Sequence, residues 1–182
     1  MFIQRCRPEY SPEELAEVYA EPWSFNPEWE DHILRREATV EMMNRHLQPG
    51  LTVADLSCGD GYLAEQRPDL IWTLGDYAPG WPVTGPIELT LPEIPTQDVL
   101  VSTETLEHLN DPSSFLRAAR LKASRLLLTT PLKNEYDDNP EHYYAWDDEA
   151  IGVMLEESGW RPVDFAKTNP PFGYVFQIWM CA

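Results

Sequence analysis

One stretch constrains what this 182-residue chain can fold into more than any other: Val53-Ala54-Asp55-Leu56-Ser57-Cys58-Gly59-Asp60-Gly61-Tyr62. An apolar strand runs into a turn with two closely spaced glycines, and a helix begins directly after it. Glycines at such a turn let the backbone take positive φ and approach a ligand closely. The helix start presents N–H groups to a polar or anionic ligand group. In open α/β sheets the crevices outside the carboxyl ends of the strands are where ligands sit. Gly59-Asp60-Gly61-Tyr62-Leu63-Ala64 also fits G-x-G-x-x-A, the fingerprint of dinucleotide sites. Two features weigh against a dinucleotide. The Asp55 carboxylate would repel a pyrophosphate, and 182 residues leave no room for the second, substrate-binding domain usual in such enzymes.

The rest of the chain alternates as this turn requires. Apolar runs at residues 52–56, 71–74, 87–89, 98–102 and 125–129 read as strands. Helices are predicted at 62–66, at about 112–123 behind the capping residue Asp111, and at 148–158 before Gly159. Two further strands, 162–166 and 174–180, close the chain around the turn-rich Asn169-Pro170-Pro171-Phe172-Gly173. Strands alternating with helices mean a mostly parallel sheet covered on both faces, here with an antiparallel last strand. Residues 1–50 read as a helical extension of the same domain, and 51–182 as its core. In the extension, Ser11-Pro12-Glu13-Glu14 is a capping box that opens a helix with Leu15, Val18 and Tyr19 on one face. A longer helix follows, with Trp29, Ile33, Val40, Met43 and Leu47 recurring at helical spacing up to Pro49-Gly50.

Composition excludes some classes. A net charge of -18 disfavours generic grip on nucleic acid by a basic face. Between residues 134 and 157 there are nine Asp or Glu and no Lys or Arg, either a solvated face or an attractor for a cationic substrate. Cys6, Cys58 and Cys181 form no CxxC pair, so neither a zinc knuckle nor a disulfide framework is expected. No apolar run approaches the roughly 20 residues of a membrane span, and the N-terminus is too polar for a signal peptide. The expectation is a soluble, cytoplasmic protein.

The wider pattern is more specific. Asp55-Leu56-Ser57-Cys58-Gly59-Asp60-Gly61 resembles the first motif of class I S-adenosylmethionine-dependent methyltransferases, an acidic residue followed by spaced glycines. The segment from Gln97 to Leu109 resembles that family's fourth-strand segment, with Leu106-Glu107-His108 matching the Leu-Glu-His signature of one large branch, and Asp111-Pro112 follows. Leu126-Leu127-Leu128-Thr129-Thr130-Pro131 looks like the fifth strand and its exit. His142, the helix after it and Gly159-Trp160 are similar to the lead into the sixth strand. The resemblance runs from Thr52 to the last residue and implies a Rossmann-like three-layer α/β sandwich. Two departures stand out. Ser57 replaces a common glycine, and Tyr77-Ala78-Pro79-Gly80-Trp81-Pro82-Val83-Thr84-Gly85-Pro86 cannot form the helix that the family usually has there.

What the resemblance implies is transfer of a methyl group from S-adenosylmethionine to an oxygen or nitrogen of an acceptor, with a small molecule the first choice. The alternatives are a catalytically inactive binding or assembly module, and a nucleic-acid or protein methyltransferase. Asp55, Ser57, Cys58, Gly59 and Gly61 would form the cofactor turn. Asp76, which lies 17 positions after Gly59, would accept the ribose hydroxyls with Tyr77 beside it. Ile87 and Glu88, at the third candidate strand, would flank the adenine, and Ser102 and Thr103 would meet the methionine end. His142 is the first candidate base, with His108 and Glu104 behind it. Tyr19 and Trp23 would cover the crevice as part of an aromatic lid. Asn169-Pro170-Pro171-Phe172 spells the motif of amino-methylating DNA enzymes but lies at the wrong strand. Asp137-Asp138-Asn139 is similar to the magnesium ligands of catechol-type enzymes but lies too far beyond its strand. No metal site is expected.

Overall fold

Leu126, Leu127 and Leu128 are consecutive and all fully buried, which a strand achieves only in a sheet covered on both faces. The computed structural model describes residues 1–20, 25–132, 139 and 141–182. In chain order the elements are β1 (Ile3–Arg5), α1 (Pro12–Val18), α2 (Glu30–His46), β2 (Thr52–Asp55), α3 (Tyr62–Gln66), β3 (Ile71–Asp76), β4 (Val83–Thr84), α4 (Ile87–Thr90), β5 (Gln97–Thr103), α5 (Pro112–Lys122), β6 (Ala123–Pro131), β7 (Tyr144–Trp146), α6 (Asp148–Glu157), β8 (Pro162–Lys167) and β9 (Phe176–Cys181).

The central sheet runs β4-β3-β2-β5-β6-β9-β8. Pairings from β4 through β6 are parallel, and β9 runs antiparallel between β6 and β8. Strand parity sorts the core into two halves. Val53, Val99, Val101, Leu127, Ile178 and Met180 face Met42, Met43 and Leu47 of the α2 side. Ala54, Leu100, Leu126, Leu128 and Cys181 face Phe115 and Leu116 of α5 and Ile151 and Leu155 of α6. Each fully buried leucine contributes roughly 1.5–3 kcal/mol relative to exposure. This is the three-layer α/β sandwich expected from the sequence, including the antiparallel last strand.

Helix starts follow local chemistry. Ser11 and Glu14 form the reciprocal capping box of α1, Asp111 accepts from Ser114 N before α5, and Asp147 accepts from Ala150 N before α6. Trp160, whose Nε1 donates to Leu116 O, anchors the turn after α6 to α5.

Three expectations are corrected. Residues 87–89 are not a strand but the start of α4. Ile87 and Leu91 are buried while Leu89 is 70% exposed, so the true period is four rather than two. The third parallel strand is instead the two-residue β4, inside the proline-rich stretch. Along α2, Trp29 is exposed and Ile33 and Val40 are only half-buried. The face turned inward carries Asp31, Arg35, Arg36 and Thr39 before Met42 and Met43. Finally, the N-terminal extension is not purely helical, because β1 pairs antiparallel with β7 and forms a second, two-stranded sheet.

Gly75 in β3 has no space for a side chain. An added Cβ would sit 2.8 Å from both Val83 Cβ and Val83 O, and 3.1 Å from Leu56 Cδ2. Gly75→Ala should therefore push β4 away and lower stability by about 1–3 kcal/mol, read as a lower urea midpoint.

Candidate active site

A cavity of about 780 Å3 lies at the carboxyl ends of β2, β3 and β5, where the strand order reverses direction across β2 and β5. The structure brings Asp55, Ser57, Cys58, Gly59, Asp76, Tyr77, Ile87, Glu88, Thr103, Glu104, His108, His142 and Tyr19 to its wall. Gly61 stands behind the wall. It takes φ 78°, and a Cβ there would meet the Trp81 ring at 2.7 Å. Ser102 is fully buried and does not line the cavity, because its parity turns it into the α5 side of the sheet. Trp23 lies outside the described residues, as do Asp137 and Asp138.

The glycine turn is held from inside. Asp76 Oδ2 accepts from Gly59 N at 2.8 Å and Asp76 Oδ1 from Ala78 N at 3.0 Å. Trp81 Nε1 donates to Gly59 O at 3.0 Å. Backbone N–H groups of Ser57, Cys58, Gly59, Gly61 and Tyr62 all donate within the protein. These five donors of the turn are therefore spent, which leaves little for a pyrophosphate. Trp81 was not singled out in the sequence, since its stretch reads only as a helix breaker.

Asp55 ends β2 at 2% exposure, and burial raises its carboxyl to about 7 despite the hydrogen bond from Ser57 N. Burial also pushes the Cys58 thiol up, which keeps it a protonated wall group rather than a nucleophile. Ser57 Oγ lies 2.6 Å from Thr105 Oγ1, which donates to Thr103 O at 3.0 Å, so the first turn is tied to the end of β5.

Beyond β5 the chain makes a sharp corner. Among the described residues, Glu104 is the one non-glycine residue with positive φ, 52°. Such strain costs on the order of 1 kcal/mol or more and persists where the surroundings over-determine it. Here Glu104 N donates to Thr129 O, and Glu104 Oε1 accepts from Thr129 Oγ1 at 2.8 Å and lies 3.9 Å from Arg35 Nε. Burial holds the carboxyls of Glu104 and Glu107 above the usual range.

The histidines meet at the far wall. His108 and His142 rings are 4.8 Å apart edge to face, and His108 Nδ1 is 3.1 Å from Glu141 O and 3.4 Å from Tyr19 OH. Asn139 Oδ1 accepts from Glu141 N, so its amide nitrogen faces His142 Nε2 at 3.1 Å. Tyr19 also packs on Tyr77, with centroids 4.9 Å apart. Glu107, His108 and His142 together present ligand atoms within 4.8 Å of one another, a metal-competent group that the sequence reading did not anticipate.

Arg35 and Arg36 line the cavity and were also missed, because apolar periodicity assigns α2 a different inward face. Arg36 pairs with Asp60 at 2.6 Å and lies over the rings of Phe25 and Tyr62. In the acidic run, Glu141 reaches the cavity, whereas Asp147 caps α6 and Asp148 pairs with Lys167.

No family model and no curated protein sequence matches the chain. Solved structures do. A 1,6-didemethyltoxoflavin-N1-methyltransferase from Burkholderia thailandensis, with its acceptor and S-adenosylhomocysteine bound, superposes with a TM-score of 0.70 at 16% identity, over 98% of this chain and 93% of that one. Magnesium protoporphyrin IX methyltransferase from Synechocystis PCC 6803, with S-adenosylhomocysteine bound, gives 0.66 at 16% identity over 93% and 92%. A SAM-dependent methyltransferase from Aquifex aeolicus gives 0.64 at 18% identity over 95% and 99%. The likeness lies in the fold.

A carboxyl whose folded pKa lies above its unfolded value lowers stability once ionised. For Asp55 that cost is absent below about pH 4, grows as the pH rises toward 7, and reaches on the order of 4 kcal/mol above it. Asp55→Asn should consequently unfold at higher urea than the wild type at pH 8, with the difference closing near pH 4. Urea titrations at the two pH values read this directly.

Proposed function

We propose that this chain is an S-adenosylmethionine-dependent methyltransferase acting on an oxygen or nitrogen of a small molecule. The observation that carries the reading is the Asp76 carboxylate beside a glycine turn most of whose N–H groups are spent. Such a site favours a ribose, whose hydroxyls donate to a carboxylate, over a phosphate, which needs donors. The bound S-adenosylhomocysteine of the Burkholderia and Synechocystis enzymes supports the same cofactor, and the acceptors in their names support a small molecule. A cavity of about 780 Å3 falls in the roughly 300–1,000 Å3 range of small-molecule sites.

On this reading Ile87, Glu88 and Tyr77 flank the adenine and Asp76 takes the ribose hydroxyls. Asp55, Ser57, Cys58, Gly59 and Thr103 enclose the methionine end, and Gly61 with Trp81 holds the turn against them. Arg35, whose Nε donates no hydrogen bond among the described residues, is the candidate partner for the cofactor carboxylate. The sulfonium supplies an activated methyl. The acceptor atom attacks the methyl carbon, the carbon–sulfur bond breaks, and sulfur keeps the electron pair. The acceptor proton passes to the Glu104, His108 and His142 cluster on the opposite wall. Residues 1–50 act as cover for residues 51–182, with Leu15 and Tyr19 closing over the cavity and excluding water.

Calorimetry should find one S-adenosylhomocysteine per chain, and Asp76→Ala should weaken it at least tenfold while circular dichroism stays unchanged. No heat with the wild type would sink the reading. Cofactor binding without turnover over a broad panel of hydroxyl and amine acceptors would instead favour a binding module. Tyr19→Ala should weaken S-adenosylhomocysteine several-fold with unchanged unfolding, and unaltered affinity would reduce the extension to packing.

A further inference from the structure

We infer that Glu107, His108 and His142 form a binding site for a transition-metal dication at the cavity wall. Glu107 and His108 lie in the turn after β5, and His142 lies on the segment that returns from β6. A hydrogen bond of 2.7 Å from Tyr143 N to Glu107 O clamps the two segments together right beside the ligands. The three side chains offer ligand atoms within 4.8 Å of one another. Metal–nitrogen and metal–oxygen bonds of about 2.0–2.2 Å would draw this set in by roughly an ångström at most.

Two observations show that a cation belongs there. Glu107 is 1% exposed; its Oε2 accepts from Thr130 Oγ1 at 2.9 Å, while Oε1 is buried and accepts no hydrogen bond among the described residues. A buried carboxylate oxygen without a donor is costly. The second observation is the tautomer of His108. Its Nδ1 lies closest to the carbonyl of Glu141, an acceptor only, at 3.1 Å, with the Tyr19 hydroxyl farther away at 3.4 Å, so the shorter contact puts the proton of a neutral ring on Nδ1 and its lone pair on Nε2. Nε2 lies 3.9 Å from Glu107 Oε1, so once the carboxyl ionises two electron-rich atoms face each other across a gap, where an ion would replace the proton that burial favours on Glu107. A histidine that donates its other N–H to a backbone carbonyl is the usual support for a ligating imidazole. Glu107 is steadied in turn, since Trp146 Nε1 donates to Thr130 Oγ1 at 3.1 Å.

The donor set selects the ion class. The Asn139 amide that donates to His142 Nε2 gives way when the ring takes an ion; two imidazole nitrogens and one carboxylate then suit zinc, iron(II) or manganese(II), whereas magnesium and calcium prefer oxygen. His108 and His142 line the cavity and Glu107 lies behind it, so the remaining coordination positions face the space assigned to the acceptor. The existence of the site does not depend on the proposed methyl transfer; its use does. An acceptor hydroxyl bound to the ion would lose its proton more readily; with His108 and His142 engaged as ligands, the proton would go to Glu104 on the same wall rather than to the histidines.

Cobalt(II) is the probe. Chelator-treated full-length protein titrated with cobalt chloride should develop a visible d–d absorption that saturates at one ion per chain and is displaced by zinc. Glu107→Gln and His142→Ala should each weaken binding at least tenfold, whereas Glu156→Gln, an exposed acid on α6, should not. Electron spin echo on the wild type loaded with manganese(II) gives a reading independent of variant folding and should show coupling to histidine nitrogen. Absence of a saturable cobalt band, a band unaffected in Glu107→Gln, or manganese coupled to no nitrogen would each overturn the site, leaving His108 as an ordinary ion-pair partner of Glu107. Cobalt binding without S-adenosylhomocysteine binding would leave the metal site standing and remove the methyl-transfer reading. S-adenosylhomocysteine heat without a cobalt band would do the reverse.

Discussion

The Asp76 carboxylate is the piece on which the rest of the site depends. One side chain ties the end of β3 to the glycine turn after β2 and to the start of its own following loop. The turn thereby keeps its shape without help from a ligand, and Trp81 braces it from behind through Gly59 O. A carboxylate that accepts two backbone N–H bonds still has lone pairs for two further donors. The same contact that fixes the protein therefore leaves acceptor capacity at the wall, and polarity there is set by oxygen rather than by N–H.

That acceptor character extends around the cavity. Asp55, Asp60, Asp76, Glu88, Glu104 and Glu141 reach its wall against Arg35 and Arg36, and Arg36 is already engaged by Asp60. A wall with this excess of carboxyls favours a cationic guest, which would offset the burial that raises the Asp55 and Glu104 carboxyls. The shape and the electrostatics thus point the same way, and among the described residues of the acidic run Glu141 adds to the wall while Asp147 caps α6 and Asp148 pairs with Lys167.

The parts of this architecture visible in the sequence are those with local chemistry. The capping box at Ser11, the turn from Asp55 to Gly61, the cap at Asp111 and the leucine run of β6 are all encoded within a few residues of where they act. What escaped has no local signature. The residues of β1 are all exposed, so no alternation marks them, and their partner lies some 140 positions away. Apolar periodicity finds Met43 and Leu47 at the buried end of α2 but not Arg35 and Arg36, which reach the cavity. Ile87-Glu88-Leu89 alternates like a strand, yet Pro86 and the burial of Leu91 turn it into a helix. Glu107 reads as part of a signature, but only the fold shows that one of its oxygens has no donor.

The position of β9 carries a consequence for how the molecule is made. All six of its residues are buried, and it hydrogen-bonds to β6 on one side and β8 on the other, although it follows both in the chain. Until it inserts, β6 presents an open, leucine-rich edge and β8 has no neighbour in the sheet. A ribosome thus releases the binding residues of the first two-thirds of the chain well before the strand that seals their sheet. The sheet closes only once β9 is made, and the nascent chain passes through an interval with an unguarded strand edge, the kind of surface that chaperones shield.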